Sequence, residues 1–204
     1  FPELLERAND VAGVIIEHSG GQITLIKDDA GWTMQERDGY TARQVRVQRA
    51  ILGLAQIKLW EPKTRLKEKF VKLELQDITA EGAKSKSIKL FDEDGTVLAD
   101  LIVGRRRDSL PGTTTGGVYV RRPGTDQTLL AAGTTDITKD RKNWLERKIV
   151  NIGFSRIKSI VIRHPGGETL ALSKPTETAE DFNLDVGDFS YVDDTVRGFL
   201  IMGS

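Results

Sequence analysis

The chain has 204 residues, of which 38% are hydrophobic and none is cysteine, and its 30 basic side chains balance 30 acidic ones. This length and apolar content are enough to bury a hydrophobic core, so the composition indicates a globular fold. A net charge of zero argues against general nucleic-acid binding, and the lack of cysteine excludes disulfides, thiolate zinc sites and cysteine nucleophiles.

The chain is predicted to begin with antiparallel strands. β-Branched residues occupy both halves of "VAGVIIEHSGGQITLIK" at 11–27. The glycines between them can adopt the positive φ of a tight turn, so this stretch predicts a β-hairpin. The following "GWTMQ" at 31–35 predicts a third strand that carries a large aromatic residue.

A helix is predicted from Tyr40 onward. Thr41 and Gln44 have the spacing of a capping box, in which the two side chains cap the first turn reciprocally. Apolar residues then recur at helical spacing, which predicts one buried face. These residues are Val47, Ala50, Ile51 and Leu54.

The middle of the chain predicts two more hairpins. "SIKLFDEDGTVLADLIVG" at 87–104 turns at its Asp-Gly pair, and "GGVYVRRPGTDQTLLAAG" at 116–133 turns at its Pro-Gly pair. The small-residue segment "PGTTTGG" at 111–117 is predicted to join them as a mobile loop. Two helices are predicted beside these strands, a short lysine-rich one within 65–72 and one at 139–150 that contains a tryptophan.

The end of the chain repeats the pattern of its beginning. "IKSIVIRHPGGETLALS" at 157–173 has the layout of the first hairpin, and a third strand is predicted at 181–185. A helix start follows at Tyr191, with Asp193 as N-cap and then an apolar stripe. That stripe consists of Val196, Phe199 and Leu200. The pattern therefore predicts a strand-hairpin-strand-helix unit that occurs once complete and once truncated.

Strands and helices segregate without a regular β-α-β alternation, which indicates the α+β class, with antiparallel hairpins and sheets and a few helices. We predict three segments: the first repeat at 1–62, a central antiparallel β block with short helices at 63–150, and the second repeat, truncated at its helix, at 151–204. Because the chain starts without methionine and ends where an amphipathic pattern begins, we expect it to be a piece of a longer protein.

Patterns typical of catalytic or metal sites are incomplete in this sequence. His18 and His164 precede the turns of the two matching hairpins, without an acidic residue at ligand spacing or a patterned nucleophile, so we interpret them as strand-end residues. "DEDG" at 92–95 begins like a calcium loop but lacks the closing glutamate, which favours a hairpin turn. The glycines of 111–117 lack the Gly-Lys-Ser/Thr of a phosphate loop. We predict no catalytic, metal or cofactor-binding residues.

Charge patterning supplies the one candidate contact set. Five arginines flank neighbouring strand ends and the Thr/Gly loop, and we expect them to gather at one end of the sheet. They are Arg105, Arg106, Arg107, Arg121 and Arg122. Such a cluster can bind acidic partner residues, lipid headgroups or anionic glycans. The stretch 177–194 holds only acidic charges, which suits protein docking or internal pairing; a solvated surface is the simpler alternative.

Four segments occur in a recognisable order: the Gly-Trp strand ending at Trp32, the helix after Tyr40, "GVYVR" at 117–121 and "WLER" from Trp144. Together they resemble the bacterial family described as domain of unknown function 4340, over nearly the whole chain. The resemblance implies one N-terminal transmembrane helix, a domain outside the cytoplasm, and genes often encoded beside gliding-motility-type ABC transporter components. It implies no catalytic residues.

We therefore expect a non-enzymatic periplasmic module of an ABC-transporter accessory protein, tethered to the inner membrane in the full-length protein and acting through protein contacts, transporter subunits among them. The alternative is a binding module for an anionic glycan or lipid headgroup through the arginine cluster. A third hypothesis is a hydrolase completed by residues outside this chain. No nucleic acid or cofactor is expected. Strand edges in both repeats offer a route to a dimer, and the oligomeric state stays open.

Overall fold

The computed structural model describes residues 2–148 and 151–185. The chain divides into two compact units, Phe1–Arg147 and Lys148–Ser204, and each is described by itself. Antiparallel strands dominate and helices are few, which confirms the α+β class. Among the described residues, no helix is long and apolar enough to cross a membrane.

The first unit is built around one antiparallel sheet and three helices. The strands are β1 (Gly13–His18), β2 (Gly21–Asp28), β3 (Gly31–Met34), β4 (Tyr40–Thr41), β5 (Lys58–Pro62), β6 (Lys86–Phe91), β7 (Val97–Arg107), β8 (Gly117–Arg121) and β9 (Thr128–Ala132). The helices are α1 (Pro2–Glu6), α2 (Gln44–Gln56) and α3 (Phe70–Leu73). The strand order is β4-β3-β2-β1-β6-β7-β8-β9-β5, so strands of the predicted segments 1–62 and 63–150 share one sheet. The three-segment division itself stays a prediction.

The three hairpins predicted in this unit are confirmed, because each turn has the chemistry that its geometry needs. β1 pairs with β2 so that His18 lies opposite Gly21, which leaves a two-residue turn. Between β6 and β7, Gly95 has a φ of 79°, and between β8 and β9, Gly124 has a φ of 73°. Glycine adopts this left-handed conformation at little cost, so the turn positions could be recognised from local sequence alone.

The predicted helix α2 is confirmed, and its four predicted core residues are buried. The predicted capping box is wrong. Thr41 pairs with Thr33 in the sheet, so Arg43 takes the N-cap position and makes no side-chain cap hydrogen bond. Gln44 is the first helical residue, and its side-chain amide binds the backbone of Trp32.

The lysine-rich segment is helical as predicted, with a 3-10 turn at Lys67–Lys69 that leads into α3. The helix predicted at 139–150 is wrong over its described part, where only Arg141–Asn143 forms a 3-10 turn. After that turn, the Trp144 carbonyl accepts from Arg43 N–H at 2.7 Å, and Leu145 forms an isolated bridge with Ala42. Strand-like pairing therefore uses the backbone groups that a longer helix needs.

The sheet carries apolar residues on both faces where β7, β8 and β9 lie. Successive strand residues point to opposite faces, so Val118 and Val120 join the main core with α2, whereas Tyr119 joins a second cluster with Phe70 of α3. Trp144 is fully buried in the main core, where its indole N–H donates to the Thr138 carbonyl at 3.0 Å. A helix therefore packs on each face, while no further strand among the described residues pairs with either outer edge of the sheet.

The second unit contains a three-stranded antiparallel sheet, as far as the structure describes it. Its strands are β10 (Ser159–Arg163), β11 (Thr169–Ser173) and β12 (Asn183–Asp185), in that order. This confirms the predicted second hairpin and third strand. The predicted helix start, with Tyr191, Asp193, Val196, Phe199 and Leu200, lies outside the described residues. The strand-hairpin-strand-helix repeat therefore stays a prediction.

Candidate functional site

The structure separates the arginines of the predicted contact set. Arg107 pairs with Gly117 at the start of β8, whereas Arg121 pairs with Ile102 at its end. Residues 105–107 are exposed at the C-terminal end of β7. Arg121 lies at the C-terminal end of the neighbouring strand β8, far from them along the pair. Because the two strands are antiparallel, the two groups of arginines lie at opposite ends of the strand pair. This differs from the expectation from sequence that they gather at one end of the sheet.

Arg121 requires a correction, since its side chain is buried, with a relative exposure of 2%. Its guanidinium donates to the carbonyls of Leu75 at 3.1 Å and Thr125 at 2.9 Å, and it forms an ion pair with Asp77. It also lies 4.9 Å from the ring centroid of Phe70. Arg121 thus holds the segment after α3 against the sheet and is not accessible to an external anion. That the other four arginines, which are exposed, bind an anionic partner stays a prediction.

One arginine of the set lines a cleft of about 890 Å³ in the first unit. The cleft lies between the second half of α2, the start of β5, the loop after β7 and the segment after β9. It is lined by Arg49, Leu52, Gly53, Gln56, Lys58, Arg106 and the segments 112–115 and 132–136. We call this the cationic cleft, because three of its lining residues are basic and one is acidic.

Two glycines bring the walls of the cationic cleft together. A Cβ on Gly53 would lie 2.9 Å from the Thr134 carbonyl, so only glycine lets α2 approach the segment after β9 this closely. Gly116 has a φ of 68°, and its carbonyl accepts from Gly133 N–H at 3.0 Å. The Thr/Gly loop predicted at 111–117 is therefore tied to the segment that follows β9.

The acidic residue in the lining is already neutralised. Asp136 forms an ion pair with Arg46 at 2.9 Å, and the Arg46 guanidinium lies 5.4 Å from the ring centroid of Trp144. The positive charges of the cleft are thus not offset by Asp136. Arg49 and Lys58 were missed by sequence reasoning, although a signal exists: the four α2 residues that line the cleft, at 49, 52, 53 and 56, have the spacing of one helical face.

The second candidate surface is the free edge of β5, which we call the open edge. β5 pairs only with β9 in the described sheet, so the backbone groups along its other side have no strand partner there. Leu59 has a relative exposure of 71% and Trp60 of 46%. The opposite edge of the sheet is β4, which has only two residues. Short edge strands protect against pairing, so the two edges differ in their capacity to accept another strand.

The two histidines occupy turn positions, as predicted. His18 ends β1, and its Nδ1 accepts from Gly20 N–H at 3.0 Å. Burial, together with the positive charges of Lys139 and Arg141, lowers the pKa of His18 below its ordinary value. His164 opens the other hairpin turn, with its backbone N–H donating to the Glu168 carbonyl at 2.8 Å. Over residues 2–148 and 151–185, no three His, Asp or Glu residues are placed to hold a metal ion.

The "DEDG" segment is a hairpin turn, as predicted. The Asp92 carboxylate accepts from Thr96 N–H at 2.8 Å and forms an ion pair with Arg7 at 2.8 Å. Partial desolvation alone raises the pKa of Asp92, but the hydrogen bond from Thr96 and the charge of Arg7 outweigh it, so the net shift is downward. The carboxylate therefore stabilises the turn and joins it to the N-terminal segment.

One comparison with known proteins identifies a family for this chain. A family model described as "Domain of unknown function (DUF4340)" matches residues 32–197, which is most of the chain. No curated protein and no solved structure matches it. The matched range contains α2, the whole of the cationic cleft and the open edge.

Proposed function

Because the chain belongs to the family described as Domain of unknown function (DUF4340), a membership that specifies no reaction, we propose its function from surface geometry. It is a non-enzymatic module that binds a protein partner along the open edge of its nine-stranded sheet. The partner contributes an extended segment that pairs with β5 as an additional strand. The observation that carries this proposal is the exposure of Leu59 and Trp60 on an edge strand whose outer side has no strand partner in the described sheet.

Strand addition suits this edge for two physical reasons. Main-chain hydrogen bonds to an exposed strand supply affinity, and the side chains that flank them supply selectivity. Exposed edge strands are usually protected by lysine, proline, bulges or very short length. β5 has a lysine and a proline at its ends and a register shift between Leu59 and Glu61, but its two central apolar residues remain exposed. Lys58 and Glu61 flank the apolar pair, but the Glu61 carboxylate forms an ion pair with Lys63, so Lys58 is the flanking charge that favours an acidic residue on the partner strand.

The cellular setting is part of the same proposal. We place the domain outside the cytoplasm, tethered to the inner membrane through the full-length protein, as an accessory component of an ABC transporter of the gliding-motility type. The support for this setting is the family resemblance of the sequence. The extended segment that pairs with β5 then belongs to a transporter subunit.

Site-specific crosslinking in the native membrane tests the docking surface. A photo-crosslinking amino acid is introduced into the full-length anchored protein in place of Leu59, and, as a matched control, in place of Tyr40 on the opposite sheet edge. Tyr40 is also exposed, at 42%, and also lies in an edge strand. We expect a crosslinked transporter subunit, identified by mass spectrometry, from position 59 and not from position 40.

A disruptive variant completes the test. Replacing Leu59 and Trp60 by lysine adds charge to the edge, and we expect it to abolish crosslinking from a probe at Pro62. Equal crosslinking from positions 59 and 40, or none from 59, rejects the docking surface. Protease treatment of intact spheroplasts tests the setting separately, because protection of the domain from external protease would place it in the cytoplasm and reject the extracytoplasmic proposal.

A further inference from the structure

We infer that the cationic cleft is a binding site for a phosphorylated polyol, a small hydroxyl-rich molecule that carries one or more phosphate groups. This inference does not rest on the docking function, although Lys58, the first residue of β5, also lines the cleft. The inference rests on the charges of the cleft, on its hydroxyl-bearing walls and on its volume.

Three basic side chains line the cationic cleft. Arg49, Lys58 and Arg106 come from three different elements and share one cleft, so the fold brings three like charges into the same space. Asp136 does not compensate them, because its carboxylate faces Arg46 at 2.9 Å. Like charges in a partly enclosed site raise the local positive potential, and an anion with two or more charges relieves it. Arginine in particular binds phosphate through two parallel hydrogen bonds.

Arg106 has one acidic neighbour, which does not remove it from the site. Its Nε lies 3.7 Å from a carboxylate oxygen of Asp108, and the two side chains are 63% and 98% exposed. Such a long contact between solvated side chains contributes little free energy. A phosphate in the cleft can therefore take the place of Asp108 at small cost.

The walls supply hydroxyl groups as well as apolar surface. The cleft is lined by Thr113, Thr114, Thr115, Thr134 and Thr135, and Leu52 is the one large apolar side chain in the lining. The Thr113 hydroxyl donates to the Leu110 carbonyl at 3.1 Å, which fixes the start of the loop. Threonine hydroxyls both donate and accept hydrogen bonds, so these walls suit a polyol better than an apolar ligand.

The volume of the cationic cleft indicates a ligand larger than a single phosphate ion. Small-molecule sites typically enclose roughly 300–1,000 Å³. The cationic cleft, at about 890 Å³, falls in this range and greatly exceeds the space of one phosphate ion. The two sources of a ligand with this chemistry are soluble sugar phosphates and the headgroups of inositol phospholipids.

Nuclear magnetic resonance titration of the protein with fructose 1,6-bisphosphate tests the site, with fructose as the neutral control. We expect shifts of the backbone amides at 112–116 and 133–136 with the bisphosphate and none with fructose. The double variant Arg49→Gln, Arg106→Gln should bind at least tenfold more weakly. The matched control is Arg105→Gln, a neighbouring exposed arginine that is not part of the cleft lining. It should bind like the wild type.

Vesicles distinguish the two sources. The protein is sedimented with phosphatidylcholine vesicles that contain phosphatidylinositol 4-phosphate. Vesicle binding by the wild type that is lost in the double variant supports the site, with a lipid headgroup as its natural ligand. Binding of the soluble bisphosphate without vesicle binding supports the site with a soluble ligand. Absence of both, or equal binding by the wild type and the double variant, overturns the inference. Neither result depends on whether β5 accepts a partner strand.

Discussion

The side chain of Gln44 hydrogen-bonds to both backbone groups of Trp32. Its Oε1 accepts from Trp32 N–H at 2.9 Å, and its Nε2 donates to the Trp32 carbonyl at 3.2 Å and to the Ala42 carbonyl at 2.9 Å. Next to the β3–β4 pairs, Ala42 N–H also donates to the Trp32 carbonyl at 2.7 Å, and the amide of Gln44 supplies the acceptor for Trp32 N–H that a longer edge strand would supply. The first residue of α2 thereby links the helix to the sheet.

Removing this amide should destabilise the protein. In Gln44→Ala, the Trp32 N–H loses its partner at a largely buried position, and leaving a buried donor unpaired costs about 1–3 kcal/mol. We expect the free energy of unfolding, measured by urea denaturation, to fall by that amount. Gln48→Ala is the matched control, because Gln48 is exposed on the same helix, and it should stay within about 0.5 kcal/mol of the wild type. An equal effect of the two variants would contradict the role of Gln44.

Gln44 also shows where sequence reasoning succeeded and where it failed. The hairpins depend on residues next to one another, such as the glycines of the turns, and were predicted correctly. The capping box was wrong because Thr41 is taken by a strand partner that local spacing does not reveal. The helix predicted around Trp144 was wrong for the same reason, since its backbone pairs with residues about a hundred positions earlier. Local chemistry predicts local structure, whereas long-range pairing overrides it.

The candidate site was also predictable from sequence only where it depends on residues that are close together along the chain. The sequence predicted the Thr/Gly loop and the exposed arginines beside it, including Arg106. It could not show that Arg121 is buried, because that depends on Asp77 and Phe70, which lie more than forty positions away along the chain. Nor could it show that α2 and β5 add Arg49 and Lys58 to the same cleft.

Arg121 should be a strong determinant of stability. In Arg121→Met, the guanidinium that bonds to Leu75, Thr125 and Asp77 is lost, and so is its contact with the ring of Phe70. Charged hydrogen bonds and a desolvated cation–π contact together predict a loss of about 2–4 kcal/mol in the free energy of unfolding. Chemical denaturation monitored by circular dichroism measures it.

The exposed partner provides a comparison for Arg121. Asp77→Asn removes the counter-charge of the buried Arg121 guanidinium but keeps a hydrogen-bond acceptor beside it, and Asp77 is itself 69% exposed, so we expect a smaller loss than in Arg121→Met. The control Arg105→Met should be close to neutral, since Arg105 is exposed. If Arg121→Met were as mild as Arg105→Met, the buried network would not be a stabilising one.

Replacing Gly53 by alanine should destabilise the protein, which is the opposite of the usual effect of this replacement in a helix. In the interior of a helix, replacing glycine by alanine usually stabilises by about 0.5–1 kcal/mol. Here the added methyl would lie 2.9 Å from the Thr134 carbonyl, so Gly53→Ala must push α2 away from the wall of the cationic cleft. Overpacking of this kind costs about 1–3 kcal/mol, and we expect net destabilisation in thermal unfolding. Gln56→Ala, one turn later on the same helix face, is the control. A more stable Gly53→Ala variant would show that the helix and this segment are not in close contact.

The pKa of His18 predicts how stability changes below neutral pH. Burial first, and then Lys139 and Arg141, lower this pKa below the ordinary value of 6.5, so the fold favours the neutral imidazole. The unfolded chain then binds more protons than the folded one, and stability falls as the pH drops from 6.5 through the folded-state pKa. The neutral ring is also required for Nδ1 to accept from Gly20 N–H. His18→Asn keeps an acceptor for this turn without titrating, so the loss of stability between pH 8 and about pH 5.5, measured by urea unfolding, should be smaller than in the wild type. An unchanged loss in His18→Asn would assign the acid sensitivity to other groups.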